Sequence, residues 1–164
     1  SCKKFCRAAK FLASLPQVDS AHVACVGFSM GGFRSWQLAA ISDDITAAIS
    51  VCWFGTMKGH IIEGDGQLKG NSAFSMLHPT IAKYLDYPDV AGLAAPKPVY
   101  FVAGDLDGVN PVEGTNEAFA KVHKIWAANG AENKLKTEMV KGLYHSYPPE
   151  QQKATFDWLD AQFK

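Results

Sequence analysis

The sequence predicts an α/β fold, a mostly parallel sheet flanked by helices on both faces. Three observations lead there. Short runs of small, β-branched and aromatic residues recur at His22 to Gly27, Ile45 to Trp53, Val99 to Ala103 and Leu135 to Val140. The segments around them carry apolar residues at helical spacing. Two of the runs, Ile45 to Trp53 and Val99 to Ala103, are almost continuously apolar rather than alternating, as parallel strands covered on both faces are. The order reads α-β-α-β-excursion-β-α-β-α, and strands that alternate with helices build parallel sheets because each crossover needs a helix.

The first helix is expected over Cys2 to Leu15, with Phe5, Ala8, Ala9, Leu12 and Leu15 at helical spacing, Lys3, Lys4, Arg7 and Lys10 between them, and Pro16 as its stop. The first strand then ends in Gly27-Phe28-Ser29-Met30-Gly31-Gly32, and Phe33 to Ile41, with Trp36, Leu38 and Ile41, reads as the next helix. Gly55 to Pro98 is too long for a plain connection. It is glycine-rich and then apolar again at Phe74, Met76, Leu77, Ile81, Tyr84 and Leu85, which predicts a helical and loop excursion at about 56–97. Phe74, Met76, Tyr84 and Tyr87 are candidates for a lid, with packing against the sheet the favoured role. Val112 to Asn129 carries a stripe of Phe119, Val122, Ile125 and Trp126 closed by Gly130, and Pro148 to Phe163 forms the last helix. No internal repeat divides the chain, so residues 1–164 are expected to form one domain.

Composition narrows the function classes. Sixteen Lys and Arg balance sixteen Asp and Glu across 164 residues, so no basic stripe argues for nucleic acid. No apolar run approaches the ~20 residues of a membrane helix, and no membrane partner is expected. Cys2, Cys6, Cys25 and Cys52 form neither a disulfide framework nor a C-x-x-C metal pair, and Cys25 and Cys52 are expected as buried free thiols. The chain begins with Ser1 and opens directly on a helical pattern, so the expectation is a removed signal or missing upstream sequence, with the compartment open between cytoplasmic and secreted.

Gly27-Phe28-Ser29-Met30-Gly31 matches G-x-S-x-G, the nucleophile elbow in which a strained strand-to-helix turn lifts a serine hydroxyl above a sheet. Its context supplies the confirmation the motif requires, a strand before and a helix after. Serine is a weak nucleophile at neutral pH and needs a base and a group to orient that base. In the elbow arrangement these follow in the order acid, then histidine, each after a later strand. The third strand runs into Gly104-Asp105-Leu106-Asp107-Gly108, and the fourth into Lys141-Gly142-Leu143-Tyr144-His145.

His145 lies after the last strand and before the last helix, where the base belongs. His22 and His123 read as structural or solvated, His60 falls in a polar glycine-rich loop, and His78 precedes Pro79; the latter two are secondary candidates for substrate contact, since the excursion that carries them could lie over the site. Asp107 is preferred as the orienting carboxylate, because Asp105 follows the strand glycine immediately and suits capping of its own turn. Glu113 suits the start of the next helix. The backbone amide of Met30, the residue after the nucleophile, is the expected oxyanion donor. Trp53 and Phe54 end the second strand on its carboxyl side, where open α/β sheets bind ligands, and are candidates for a substrate pocket.

On the elbow Val26-Gly27-Phe28-Ser29-Met30-Gly31-Gly32, the Gly104-x-x-Asp107 segment with Pro111, and His145, the sequence resembles the α/β-hydrolase superfamily. Within it the chain is similar to the dienelactone hydrolase and acetyl xylan esterase-like branch, and Leu77-His78-Pro79 and Tyr84-Leu85-Asp86-Tyr87-Pro88 add to the likeness. The resemblance implies Ser29 as nucleophile, His145 as base and acid, Asp107 as its partner, and neither metal nor organic cofactor. It implies a carboxylic ester hydrolase, with a small-molecule or carbohydrate ester as substrate. Serine at position 29 departs from dienelactone hydrolases proper, which use cysteine, and moves the reading toward esterases. Only the strands around and after the elbow are represented, so the chain resembles the C-terminal half of the fold. The elbow strand would then be a sheet edge, open to a missing N-terminal half or a second copy. The alternatives are a serine peptidase of the prolyl oligopeptidase type, with the same triad order, and an incomplete fragment that needs its other half.

Overall fold

The structure, a computed structural model, describes residues 2–61 and 80–164. Helix α1 (Cys2–Ala13) precedes strand β1 (Ala24–Phe28), which runs into α2 (Met30–Ile41) and then β2 (Ala47–Val51). Among the described residues, two short helices, α3 (Met57–Ile61) and α4 (Tyr87–Gly92), come before β3 (Val99–Gly104). Helix α5 (Val112–Ala128), strand β4 (Leu135–Val140) and helix α6 (Pro149–Gln162) complete the order. The first strand starts at Ala24 rather than His22, because Ser20–His22 forms a 3-10 turn capped by the Asp19 carboxylate on the Ala21 amide.

The strands lie in the order β1-β2-β3-β4 and pair in parallel throughout, with Val26 opposite Ile49, Ile49 opposite Tyr100, and Tyr100 opposite Lys136. Sequential order combined with right-handed crossovers sends every crossover helix to the same side. On that side Phe33 and Trp36 of α2, Tyr87 of α4, and Phe119, Val122 and Trp126 of α5 meet Ala48, Val99, Phe101 and Ala103. The alternate residues Ala47, Ile49, Val51, Tyr100 and Val102 face the other way, where Leu159 of α6 covers them. This two-sided burial explains why β2 and β3 read as continuous apolar runs. Strand β1 is an outer strand of this sheet and less buried than β2.

A lysine from the segment before β3 meets the C-terminal end of α2. The Lys97 ammonium donates to the carbonyls of Ala39 and Ser42, both at 2.8 Å, meeting acceptors that a helix C-terminus leaves open. Helix α4 starts with a capping box between Asp86 and Asp89, and Asp86 also accepts from the Met57 amide at 2.7 Å, tying α4 to α3. Of the lid candidates, Tyr84 is exposed, while Tyr87 is packed in the core, the role favoured for these residues. Phe74, Met76, Leu77 and His78 lie outside the described residues. Among the described residues no helix is long and apolar enough to cross a membrane. Cys25 and Cys52 are free thiols, Cys52 fully buried and Cys25 partly so.

Candidate active site

Parallel strands all end at one edge of the sheet, and the turns that leave β1, β3 and β4 at that edge carry Ser29, Asp107 and His145. Ser29 has φ 53 and ψ −122, a left-handed backbone that costs about 1–3 kcal/mol and persists only where neighbours hold it. Its amide donates to the Val51 carbonyl of β2 at 2.8 Å, and its carbonyl accepts the Phe33 amide as α2 begins. The Ser29 hydroxyl makes no capping bond to α2. It points instead at His145, with Oγ 2.8 Å from Nε2.

The other side of His145 meets Asp107, with Nδ1 3.0 Å from each carboxylate oxygen. The Asp107 side chain has no exposed surface, so donors must meet its charge. The Val109 amide donates to Oδ1 and the Asn110 amide nitrogen to Oδ2, both at 2.9 Å. Burial pushes the Asp107 carboxyl up, but donation from His145, Asn110 and Val109 outweighs it and holds the group below the usual carboxylate range. An ionised carboxylate only accepts, which puts the imidazole proton on Nδ1 and leaves Nε2 as the acceptor for the Ser29 hydroxyl. The His145 ring remains partly open to solvent and lies 4.9 Å from the Phe28 ring, centroid to centroid.

Asp105 has a different task from the one expected. Rather than capping its own turn, its Oδ1 accepts from the Gly142 amide at 2.6 Å, while its own amide donates to Val140. Asp105 thus stitches the turn after β3 to the turn before His145, and it is Asp107 that faces the imidazole. Glu113 lies in the first turn of α5, as expected. Met30 is the first residue of α2, where backbone amides lack intrahelical acceptors and the helix dipole is positive.

Trp53 and Phe54 need correction. They are 2% and 1% exposed, with Trp53 packed on Phe33 at 4.1 Å and Phe54 stacked on Phe101 at 3.9 Å between centroids, so neither presents surface to a ligand. The chain turns inward after β2, where a strand end was expected to face the cleft. A cleft of about 400 Å³ opens instead beside Asp107, lined by Lys58, Leu106, Pro111, Val112 and Glu117 among others.

The remaining histidines separate by environment. His22 pairs with Asp19 at the surface, and His123 bonds the Thr137 hydroxyl at 2.8 Å. His60 departs from the loop expectation: it lies on α3, buried and stacked on Trp53 at 4.7 Å, with neither ring nitrogen bonded to a partner among the described residues. Burial lowers its pKa from 6.5 to about 4, against a weaker opposing pull from Asp107. The folded chain therefore holds this ring neutral where the unfolded chain protonates it. Stability contributed by the neutral ring is lost as pH falls through 6.5 toward 4, by about 3 kcal/mol in total. Urea unfolding at pH 7 and pH 4 should show that loss, and His60→Phe should remove most of it.

Cys52 Sγ, Asp107 and His145 offer ligand atoms within 4.8 Å of one another. The thiol is pushed up to about 12 by burial and the Asp107 charge, and it donates to the Ser146 carbonyl at 3.6 Å. A metal would require the thiolate and would compete for Asp107 and His145 atoms already bonded, so the donor set suits a proton-transfer chain better. Two contributors to this region, Asn110 and Cys52, carried no functional signal in the sequence beyond their closeness to Asp107 and β2.

The chain is 26% identical over 121 residues to YtaP of Bacillus subtilis (strain 168), named as a hydrolase, an alignment covering 74% of this chain and 40% of that protein. Among solved structures, a glucuronoyl esterase from Solibacter usitatus is similar with a TM-score of 0.79 at 17% identity, covering 99% of this chain and 48% of that one. Methylesterase BT1017 is similar with a TM-score of 0.71 at 19% identity, covering 98% and 34% respectively. The chain thus spans less than half the length of these relatives, and at such identities the structural likeness concerns the fold. A sequence profile described as the dienelactone hydrolase family matches residues 2–157, nearly the whole length, and the chain belongs to that family.

Proposed function

We propose that the protein hydrolyses carboxylic esters through Ser29, His145 and Asp107. The observation that carries this reading is the unbroken hydrogen-bonded path from the Ser29 hydroxyl through the His145 ring to the buried Asp107 carboxylate. Ser29 Oγ attacks the ester carbonyl carbon while His145 Nε2 takes its proton. The resulting imidazolium is stabilised by Asp107, and the Met30 amide donates to the oxyanion. The tetrahedral intermediate collapses as His145 gives its proton to the departing alcohol, leaving an acyl group on Ser29. Water, deprotonated by His145, then attacks the acyl carbon, and the acid leaves as the proton returns to Ser29.

A carbohydrate ester is the substrate class we favour, supported by the similarity to a glucuronoyl esterase and a methylesterase. Phe28 and Met30 on either side of Ser29, Leu106 beside Asp107 and Tyr144 beside His145 in the chain leave exposed apolar surface for the organic part of such an ester. We place residues 1–164 in one partial domain of an α/β-hydrolase, with the outer edge of β1 meeting the remainder of the fold or a second copy of the chain.

Intact mass after treatment with a fluorophosphonate, followed by peptide mapping, tests the reading. The expected result is one adduct on Ser29 and none on Ser29→Ala. A folded native chain that takes no adduct contradicts self-sufficient activation of Ser29. For a chain that does react, aryl acetates should turn over faster than proline anilides; the reverse order overturns the esterase assignment in favour of a peptidase.

A further inference from the structure

Asn110 lies in the turn between β3 and α5 and is 1% exposed. Its side-chain nitrogen donates one N–H to Asp107 Oδ2 at 2.9 Å and the other to the Cys52 carbonyl at 2.7 Å. Both neighbours are pure acceptors, so the amide has one usable orientation. With its oxygen and nitrogen exchanged, Asn110 would set an oxygen against two oxygens. The Asn110 oxygen is itself buried without a hydrogen-bond partner among the described residues. An unmet buried acceptor is unfavourable, and the side chain keeps this position where both of its donors are used.

The anchor at Cys52 is rigid for separate reasons. Its amide donates to the Val102 carbonyl of β3 at 2.8 Å, its φ is 54, and its thiol donates to the Ser146 carbonyl next to His145. One residue at the end of β2 therefore holds the Asp107 turn through Asn110 and the His145 turn through Ser146. The two turns come from different strands and are also joined by Asp105 on Gly142, Leu106 on Leu143 and His145 on Asp107 itself.

We propose that Asn110 is a positioning residue that fixes the Asp107 carboxylate toward His145, with the Cys52 carbonyl as its immobile support. The inference rests on the triad reading above. Asn110 acts only through Asp107: it stops the carboxylate from rotating away, and its N–H offsets part of the carboxylate charge. Without that donor, Asp107 becomes more basic and holds a proton on His145 more tightly, so the acid limb of Ser29 reactivity moves to higher pH.

Carbon-13 NMR of the Asp107 carboxyl during a pH titration, on the native chain, Asn110→Ala and Asn110→Asp, tests this directly. The midpoint of Asp107 is expected to rise in Asn110→Ala, and the upper midpoint of the coupled carboxyl pair to rise further in Asn110→Asp. In parallel, fluorophosphonate labelling of Ser29 should slow roughly tenfold in Asn110→Ala, with its acid limb displaced upward. Asn110→Asp keeps the side-chain volume and, while it carries the proton shared with Asp107, one donor toward that carboxylate, so at acid pH it keeps the test available if the alanine variant does not fold. An unchanged Asp107 midpoint in a folded variant overturns the proposal. If the native chain takes no fluorophosphonate, it is the reading of Ser29 that fails, and the Asp107 titration still decides the role of Asn110.

Discussion

Replacing Asp107 by Asn is expected to slow acylation of Ser29 by about 10⁴-fold, in line with amidation of a triad aspartate elsewhere. The loss follows from the hydrogen-bond inventory rather than from misfolding. Asp107 meets the His145 Nδ1 proton with two acceptor oxygens, while Val109 and Asn110 donate from the other side. In the Asp107→Asn variant the new amide would have to turn its nitrogen toward one of these donors or toward the imidazole. The latter favours the tautomer with its proton on Nε2, which cannot accept from Ser29. Asp105→Asn is expected to change the rate by no more than about twofold, because an amide oxygen still accepts from Gly142. Fluorophosphonate labelling rates on folded samples of both variants check the pair. Reversed outcomes would mean that Asp105 is the orienting carboxylate.

Gly27→Ala should have the largest effect on stability within the elbow, and Gly31→Ala almost none. A β-carbon at Gly27 would lie 2.1 Å from the Gly31 carbonyl carbon and 2.2 Å from its oxygen, backbone atoms of the first turn of α2. Strand and helix would have to separate, at a cost of about 3 kcal/mol or more. A β-carbon at Gly31 meets nothing within 4 Å, so alanine fits there without displacing strand or helix. Gly104→Ala belongs with Gly27, since its β-carbon would fall 2.0 Å from the Leu143 carbonyl oxygen in the turn before His145. Chemical unfolding of the three variants should rank them in that way. A stable Gly27→Ala with Ser29 still reactive would contradict the close approach at the elbow.

These glycines show where sequence reading stops. The motif G-x-S-x-G treats its two glycines alike, yet one supports a backbone contact and the other faces open space. The contact is made with a segment four residues away whose position depends on the helix angle. Strands and helices, by contrast, were legible because each leaves a local trace. Two-sided burial makes β2 and β3 continuously apolar, and helical spacing marks α1, α5 and α6.

The sequence by itself determined the order of elements and which residues leave the strands at one edge, because parallel strands place all their carboxyl ends together. Ser29, Asp107 and His145 could be singled out for that reason before any contact was known. Only the tertiary structure decided which atoms those residues touch. It turned Trp53 and Phe54 into the core, buried His60 beside Trp53, sent Asp105 to Gly142 and set Asn110 between Asp107 and Cys52. Each of these depends on chain segments far apart in sequence meeting at angstrom precision, and short-range periodicity carries no record of such meetings.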